Sequence, residues 1–218
     1  DIAFVIDDKI VLSNIIEDRE REVDAIEKTI SKINPKNIIS LNDDCRIEGG
    51  DVIIHHDNIF IGYSKEKDFQ KFKVARTNKI AVNEIEKIFS NKNVFAFELK
   101  KSDNDPKENA LHLDCCFQPL GNNLAIIYEE GFKNKSDVDF IKDIFGEKNL
   151  IQISQQEMYE MNSNVFSISE NVIVSELEFF RLNSILKEKG FIVEEIKFSE
   201  IAKMEGLLRC TTLPLIRE

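Results

Sequence analysis

"DVIIHHDNIFIGY", residues 51–63, decides how the chain reads. Two apolar runs flank Asp57-Asn58, a turn-forming pair, so the stretch reads as a β-hairpin. Just downstream, "RTNKIAVNEIEKIF" (76–89) has apolar residues at helical spacing, and "NVFAFEL" (93–99) returns to strand character. The order is hairpin, helix, strand. Working outward, it recurs. Before it stand the hairpin "IAFVIDDKIVLS" (2–13), the helix "EREREVDAIEKTISKI" (18–33) with Val23, Ile26, Ile30 and Ile33 in phase, and the strand "KNIISL" (36–41). After it comes "ALHLDCCFQPLGNNLAIIY" (110–128), turning at Gly121-Asn122-Asn123. Its helix is "SDVDFIKDIF" (136–145) with Ser136 as N-cap, and its strand is "LIQIS" (150–154). A fourth unit runs through "NVFSISENVIVS" (164–175), a helix over 176–190 closed by Gly190, and a strand over 191–198.

A period of roughly 50 to 60 residues points to a repeat architecture. Only the opening of a fifth unit, a strand in "CTTLPLIRE" (210–218), is left, without a partner in sequence. The chain starts at Asp1 directly in a hairpin strand. The expectation is one domain over 1–218 whose missing N-terminal residues complete the fifth unit. A closed ring would remove exposed strand edges.

Composition narrows the function. Of 218 residues, 42% are hydrophobic and 32% charged, an ordinary globular balance. No segment approaches the ~20 apolar residues of a membrane span, and no leader is read at the start. A net charge of −11 argues against nucleic acid as partner. The four cysteines are too sparse for a disulfide framework, so a reducing, cytoplasmic setting is expected.

The residues able to do chemistry stand at strand starts. Read as a strand, 110–117 puts His112, Asp114 and Cys116 on one face and Leu111, Leu113, Cys115 and Phe117 on the other. Taken alone, that face could equally be solvated or hold a satisfied core histidine. "RIEGGDVII" (46–54) adds Glu48 and Asp51 around a glycine pair, and Asp1 opens an apolar strand. In a ring, these positions and Cys210 would converge on the axis. Carboxylates bind the guanidinium fork bidentately, and a thiolate can attack its central carbon. Competing readings are weaker. His55 and His56 sit near a turn and read as surface. Cys45 has no nearby base. His112, Cys115, Cys116 and Cys210 lack zinc-ligand spacing, so no metal is expected. No Gly-x-Ser-x-Gly elbow occurs. "SKEKDFQKFKVAR" (64–76) reads as a solvated helix.

Asp1 with "FVIDD", then "REREV", "EGGDV", "ARTN", "HLD" and "RCTTLPL", in that order, resembles the guanidino-group-modifying superfamily. Arginine deiminases, dimethylarginine dimethylaminohydrolases and amidinotransferases belong to it. The resemblance implies an α/β pentein fold, a five-bladed ββαβ propeller with pseudo-fivefold repeats, here with one incomplete blade. It implies Cys210 as nucleophile, His112 as general acid/base and Glu48 as its orienting partner. Asp1 and Asp114, with Asp51 nearby, would hold the guanidinium, and Arg19 and Arg76 would grip a substrate carboxylate. Where the family often has paired arginines, this chain has Arg19-Glu20-Arg21. The expected activity is hydrolysis of a guanidino group through a covalent thiouronium, without cofactor. The alternatives are amidino transfer to an amine, or a non-catalytic pentein-like binding protein; relatives of that last kind lack the Cys/His pair. The expected partners are a small guanidino compound and, in assembly, a second copy forming a homodimer.

Overall fold

The computed structural model describes residues 1–203 and 206–216. Strands are built where apolar residues flank a tight turn. The first unit has β1 (Ala3–Ile6), β2 (Lys9–Leu12), a short helix α1 (Glu27–Ile30) and β3 (Ile38–Ser40). The second has β4 (Val52–His55), β5 (Asn58–Tyr63), α2 (Glu66–Lys71), α3 (Lys79–Ile88) and β6 (Asn93–Glu98). The third has β7 (Phe117–Leu120), β8 (Leu124–Ile127), α4 (Lys135–Phe145) and β9 (Leu150–Gln152), and α5 (Gln155–Tyr159) follows it. The fourth has β10 (Phe166–Ser167), β11 (Val172–Glu176), α6 (Phe180–Glu188) and β12 (Ile192–Ile196), with α7 (Ser199–Ala202) after it. Each unit forms its own three-stranded sheet. The hairpin strands pair antiparallel, and the third strand lies parallel to the second.

Local chemistry explains the boundaries. The Asn78 side chain accepts from Ala81 N and starts α3, whose Ala81, Val82 and Ile85 are buried. Ser154 and Glu157 close a capping box on α5. Gly146 (φ 78°) ends α4. Pro119 is tolerated because β7 is an edge strand. β5 packs on both faces: Ile59 and Ile61 join the core under the first sheet, while Phe60 joins the larger core that runs into the third and fourth units. Perpendicular ring contacts connect the second and third units, Phe60–Phe117 at 5.4 Å and Phe97–Phe132 at 5.7 Å.

Four expectations change. The helix expected over 18–33 is mostly a 3-10 stretch, Glu17–Ile26, followed by α1. Its apolar positions are at most half-buried, because the surrounding run is almost entirely charged. Residues 110–116 are not a strand: Leu113–Cys115 form a 3-10 turn and β7 begins at Phe117. The residue before α4 is Asn134 rather than Ser136. The expected last strand over 210–218 is not formed: residues 210 and 211 belong to a turn that begins at 208, and no strand occurs over 210–216; Arg217 and Glu218 lie outside the described residues.

Candidate active site

Each unit delivers polar residues just before its hairpin: Asp1, Glu48–Asp51, His112–Asp114 and Asn162–Asn164. Arg209 and Cys210 follow the fourth unit. Long-range polar contacts set these turns. Both Asp51 oxygens are engaged, Oδ2 by the Thr77 hydroxyl at 2.6 Å and Oδ1 by Leu113 N at 2.9 Å. Asp51 therefore ties the second pre-hairpin turn to the third, instead of offering a free carboxylate. Burial pushes its carboxyl up, against the pull of His112, Lys101 and Thr77. The Lys101 ammonium donates to the carbonyls of Ala110 (2.8 Å) and Leu111 (2.6 Å), fixing the approach to His112.

His112 is buried, and its Nε2 lies 2.8 Å from Glu48 Oε2. Asp1 Oδ1 stands 3.7 Å from Nδ1 and accepts from Gly50 N at 3.0 Å. Only glycine fits at position 50: a Cβ there would sit 2.7 Å from His112 Nδ1 and 2.8 Å from Asp1 Oδ1. Arg19 bridges Glu48 Oε2 (2.7 Å), Asp1 Oδ2 (3.3 Å) and Glu22 Oε2 (2.7 Å). Arg76 Nη1 is 3.6 Å from Glu48 Oε1. Burial would raise Glu48, but the His112 hydrogen bond and charge, with Arg76 and Arg19, bring it down to about 2. Asp1, Glu48 and His112 place ligand atoms within 4.8 Å of one another, as a cation site would. The Arg19 guanidinium already supplies positive charge between two of them.

The second cluster surrounds Cys210. Its sulfur lies 3.6 Å from Asp114 Oδ2 and accepts from Asn164 Nδ2 at 3.1 Å. Asp114 Oδ2 also accepts from Arg209 Nη1 at 2.7 Å. Arg209 Nη2 continues to the carbonyls of Val52 (2.6 Å) and Gly49 (3.5 Å), in the turn that carries Glu48. Burial and the Asp114 charge push the Cys210 thiol up to about 12, against Leu207 N–H, Arg209 and Asn164. Cys115 and Cys116 are raised by burial as well, and Cys45 is buried in the first core.

The structure thus gathers Asp1, Arg19, Glu48, Arg76 and His112, and joins them through Gly49 and Arg209 to Asp114 and Cys210. Arg19 and Arg76 meet Glu48. Asn164 is absent from the sequence reading. Its signal is its segment: it lies in the turn before the fourth hairpin, as Glu48 and His112 lie in the turns before the second and third. A cavity of about 450 Å³ lies elsewhere, lined by Lys67, Lys71, Lys100, Lys101 and Lys133 among others. It contains none of these candidate residues.

Residues 1–217 match the family model described as eukaryotic N,N dimethylarginine dimethylhydrolase. The chain belongs to that family. It is 30% identical over 217 residues to the uncharacterized protein YkgA of Bacillus subtilis (strain 168), covering 100% of this chain and 68% of that protein. It is 26% identical over 264 residues to the arginine deiminase of Bacillus cytotoxicus, of which it covers 60%. The chain therefore spans only part of the length of these relatives. Among solved structures, the N-terminal domain of ArgZ covalently bound to a reaction intermediate superposes with a TM-score of 0.81 at 22% identity, over 99% of this chain and 74% of that one. A variant dimethylarginine dimethylaminohydrolase of Pseudomonas aeruginosa in complex with citrulline gives 0.77 at 20% identity, over 98% of this chain and 73% of that one. The α/β fold of four small mixed sheets is the fold of these proteins. No helix of the described residues is long and apolar enough to cross a membrane.

Proposed function

We propose that this chain carries the site of a cysteine-dependent hydrolase acting on the guanidino group of arginine or an arginine derivative, in a pentein propeller of which these are four of five blades. The observation that carries the reading is the single polar network containing a buried His112–Glu48 pair, a carboxylate-flanked Cys210 and three arginines, Arg19, Arg76 and Arg209. Family membership supports it.

The chemistry follows from the groups. At rest Cys210 is a thiol, and Asp114 is occupied by Arg209. A bound guanidinium brings the positive charge that the thiol lacks, so the thiol proton passes to the neutral His112 imidazole and the thiolate forms beside its own electrophile. The sulfur bonds to the guanidinium carbon. His112, held by Glu48, gives its proton to the leaving nitrogen as the C–N bond breaks. A thiouronium remains on Cys210. His112 then takes a proton from water, whose oxygen bonds to the same carbon, and the C–S bond breaks to give a ureido product. Arg76 Nε and Nη1 are buried without a hydrogen-bond partner, which supports their use on a substrate carboxylate.

The test is a panel of guanidino compounds given to the full-length protein, with ureido product and released amine measured. Product from water alone supports hydrolysis. Product only with an added amine replaces it by amidino transfer. Binding without product by an intact fold leaves the binding-protein reading.

A further inference from the structure

The Asn164 side chain sits at the centre of the Cys210 cluster and is fully buried. Its Oδ1 accepts two backbone donors, Arg209 N at 3.0 Å and Cys210 N at 3.2 Å. The orientation of the amide is thereby fixed, because the opposite one would aim an NH₂ at two N–H groups. Nδ2, which can only donate, must face the sulfur, and it does so at 3.1 Å. The Asn164 backbone carbonyl accepts from Arg209 N as well, at 3.3 Å. Ser163 beside it donates to the Asp114 carbonyl at 2.8 Å. The fourth unit therefore clamps both segments that form the nucleophile's surroundings.

We propose that Asn164 stabilises the Cys210 thiolate, as the neutral donor that holds the sulfur in place and accepts its charge when the proton leaves. The inference rests on the reading of Cys210 as nucleophile and assigns a further residue to that role. A donor aimed at an atom favours its charged form. The other groups around the sulfur carry mixed signs: Asp114 opposes the thiolate, while Arg209, Arg19 and the amino group of Asp1 favour it, and Cys115 is neutral as a thiol. Among the described residues Asn164 is the side chain that donates to the sulfur directly, beside the backbone N–H of Leu207.

The experiment measures alkylation of Cys210 by iodoacetamide from pH 7 to 9.5 in the full-length protein, with the labelled cysteine assigned by peptide mass. The rate follows the thiolate fraction, so each unit of upward shift lowers it tenfold. Asn164→Asp keeps the shape and both acceptor contacts but turns the donor into an acceptor. It should slow alkylation roughly tenfold or more at each pH. Asn164→Ala, read if the Asp variant does not fold, opens space beside the sulfur. A merely structural role predicts faster alkylation there, and thiolate stabilisation predicts slower. Wild-type rates in Asn164→Asp, or faster labelling in Asn164→Ala, overturn the proposal. Because alkylation needs no turnover, slowed labelling in a protein inactive on every guanidine would sink the hydrolase reading and leave this one standing.

Discussion

Around His112 the charges are matched before any ligand arrives. Glu48 is completely buried, yet the imidazole, Arg19 and Arg76 hold its carboxyl far below the ordinary range. Around Cys210 the opposite holds: the thiol sits beside a carboxylate, its proton is held tightly, and that carboxylate is bonded to Arg209. On the proposed reading, the His112 side is preorganised, whereas the Cys210 thiol waits for the charge of a bound guanidinium. Electrostatic preorganisation is effective where charge develops. An acid/base pair can stand ready at all times, whereas a permanently ionised thiol would invite oxidation. The contrast predicts that the two sides fail differently.

The largest effect is expected for Cys210→Ser. Turnover of any accepted guanidine should fall by at least about 10⁴-fold with the melting temperature little changed. Rates within tenfold of wild type would remove the nucleophile from its side of the comparison. His112→Ala should cost roughly 10²–10⁴-fold and trap a covalent adduct on Cys210, visible in intact-mass spectra after mixing with substrate. An adduct on another cysteine would break the assignment. Gly50→Ala tests whether the imidazole's place is set by backbone. Its Cβ would crowd Nδ1 at 2.7 Å, so turnover should drop about 10²-fold and stability by about 1–3 kcal/mol. A neutral outcome in both would show that His112 has room to shift.

Glu48→Gln sharpens the comparison through pH. The carboxyl drops from its ordinary 4.5 to about 2 on folding. A depressed value stabilises the fold above pH 4.5, and that contribution is lost as pH falls through 4.5 toward 2. Wild type should therefore exceed Glu48→Gln by on the order of 3 kcal/mol at pH 7, with the gap narrowing to about 1 kcal/mol or less by pH 2.5 in urea titrations. A gap that stays constant with pH would mean the variant loses packing alone.

How much of this could be read in the sequence depends on where each residue's partners lie. The sheets were legible because a hairpin and its return strand are specified by local alternation and turn residues, as in 51–63. The face assignment of 110–117 failed because the bond that bends it comes from Asp51 Oδ1, 62 positions away. Helical spacing of Val23, Ile26, Ile30 and Ile33 was real, but spacing alone does not supply a core to bury them. His112, Glu48 and Cys210 carry unusual chemistry in quotable motifs. Asn164, in "MNSNVF", looks like an ordinary turn asparagine until its backbone and sulfur partners, 45 and 46 positions on, come into view.

The smallest effect is the control. Cys45 is as buried as the other core thiols and lies on the His112 side, packed in the core with Leu41, Ile47 and Val52. Its thiol is raised by burial and by Asp44 and Glu84, against the Asn42 backbone N–H and Lys87, and Asp44 Oδ1 lies 4.0 Å from the sulfur. Among the described residues no side-chain donor or imidazole is bonded to it. Cys45→Ala should then cost only the packing of one sulfur, on the order of 1 kcal/mol, with turnover within twofold of wild type. Urea unfolding and steady-state rates measured on the same preparation separate the two quantities. If turnover collapsed while the fold held, thiol chemistry would belong to the preorganised side as well, and the division between the two halves of the site would fall.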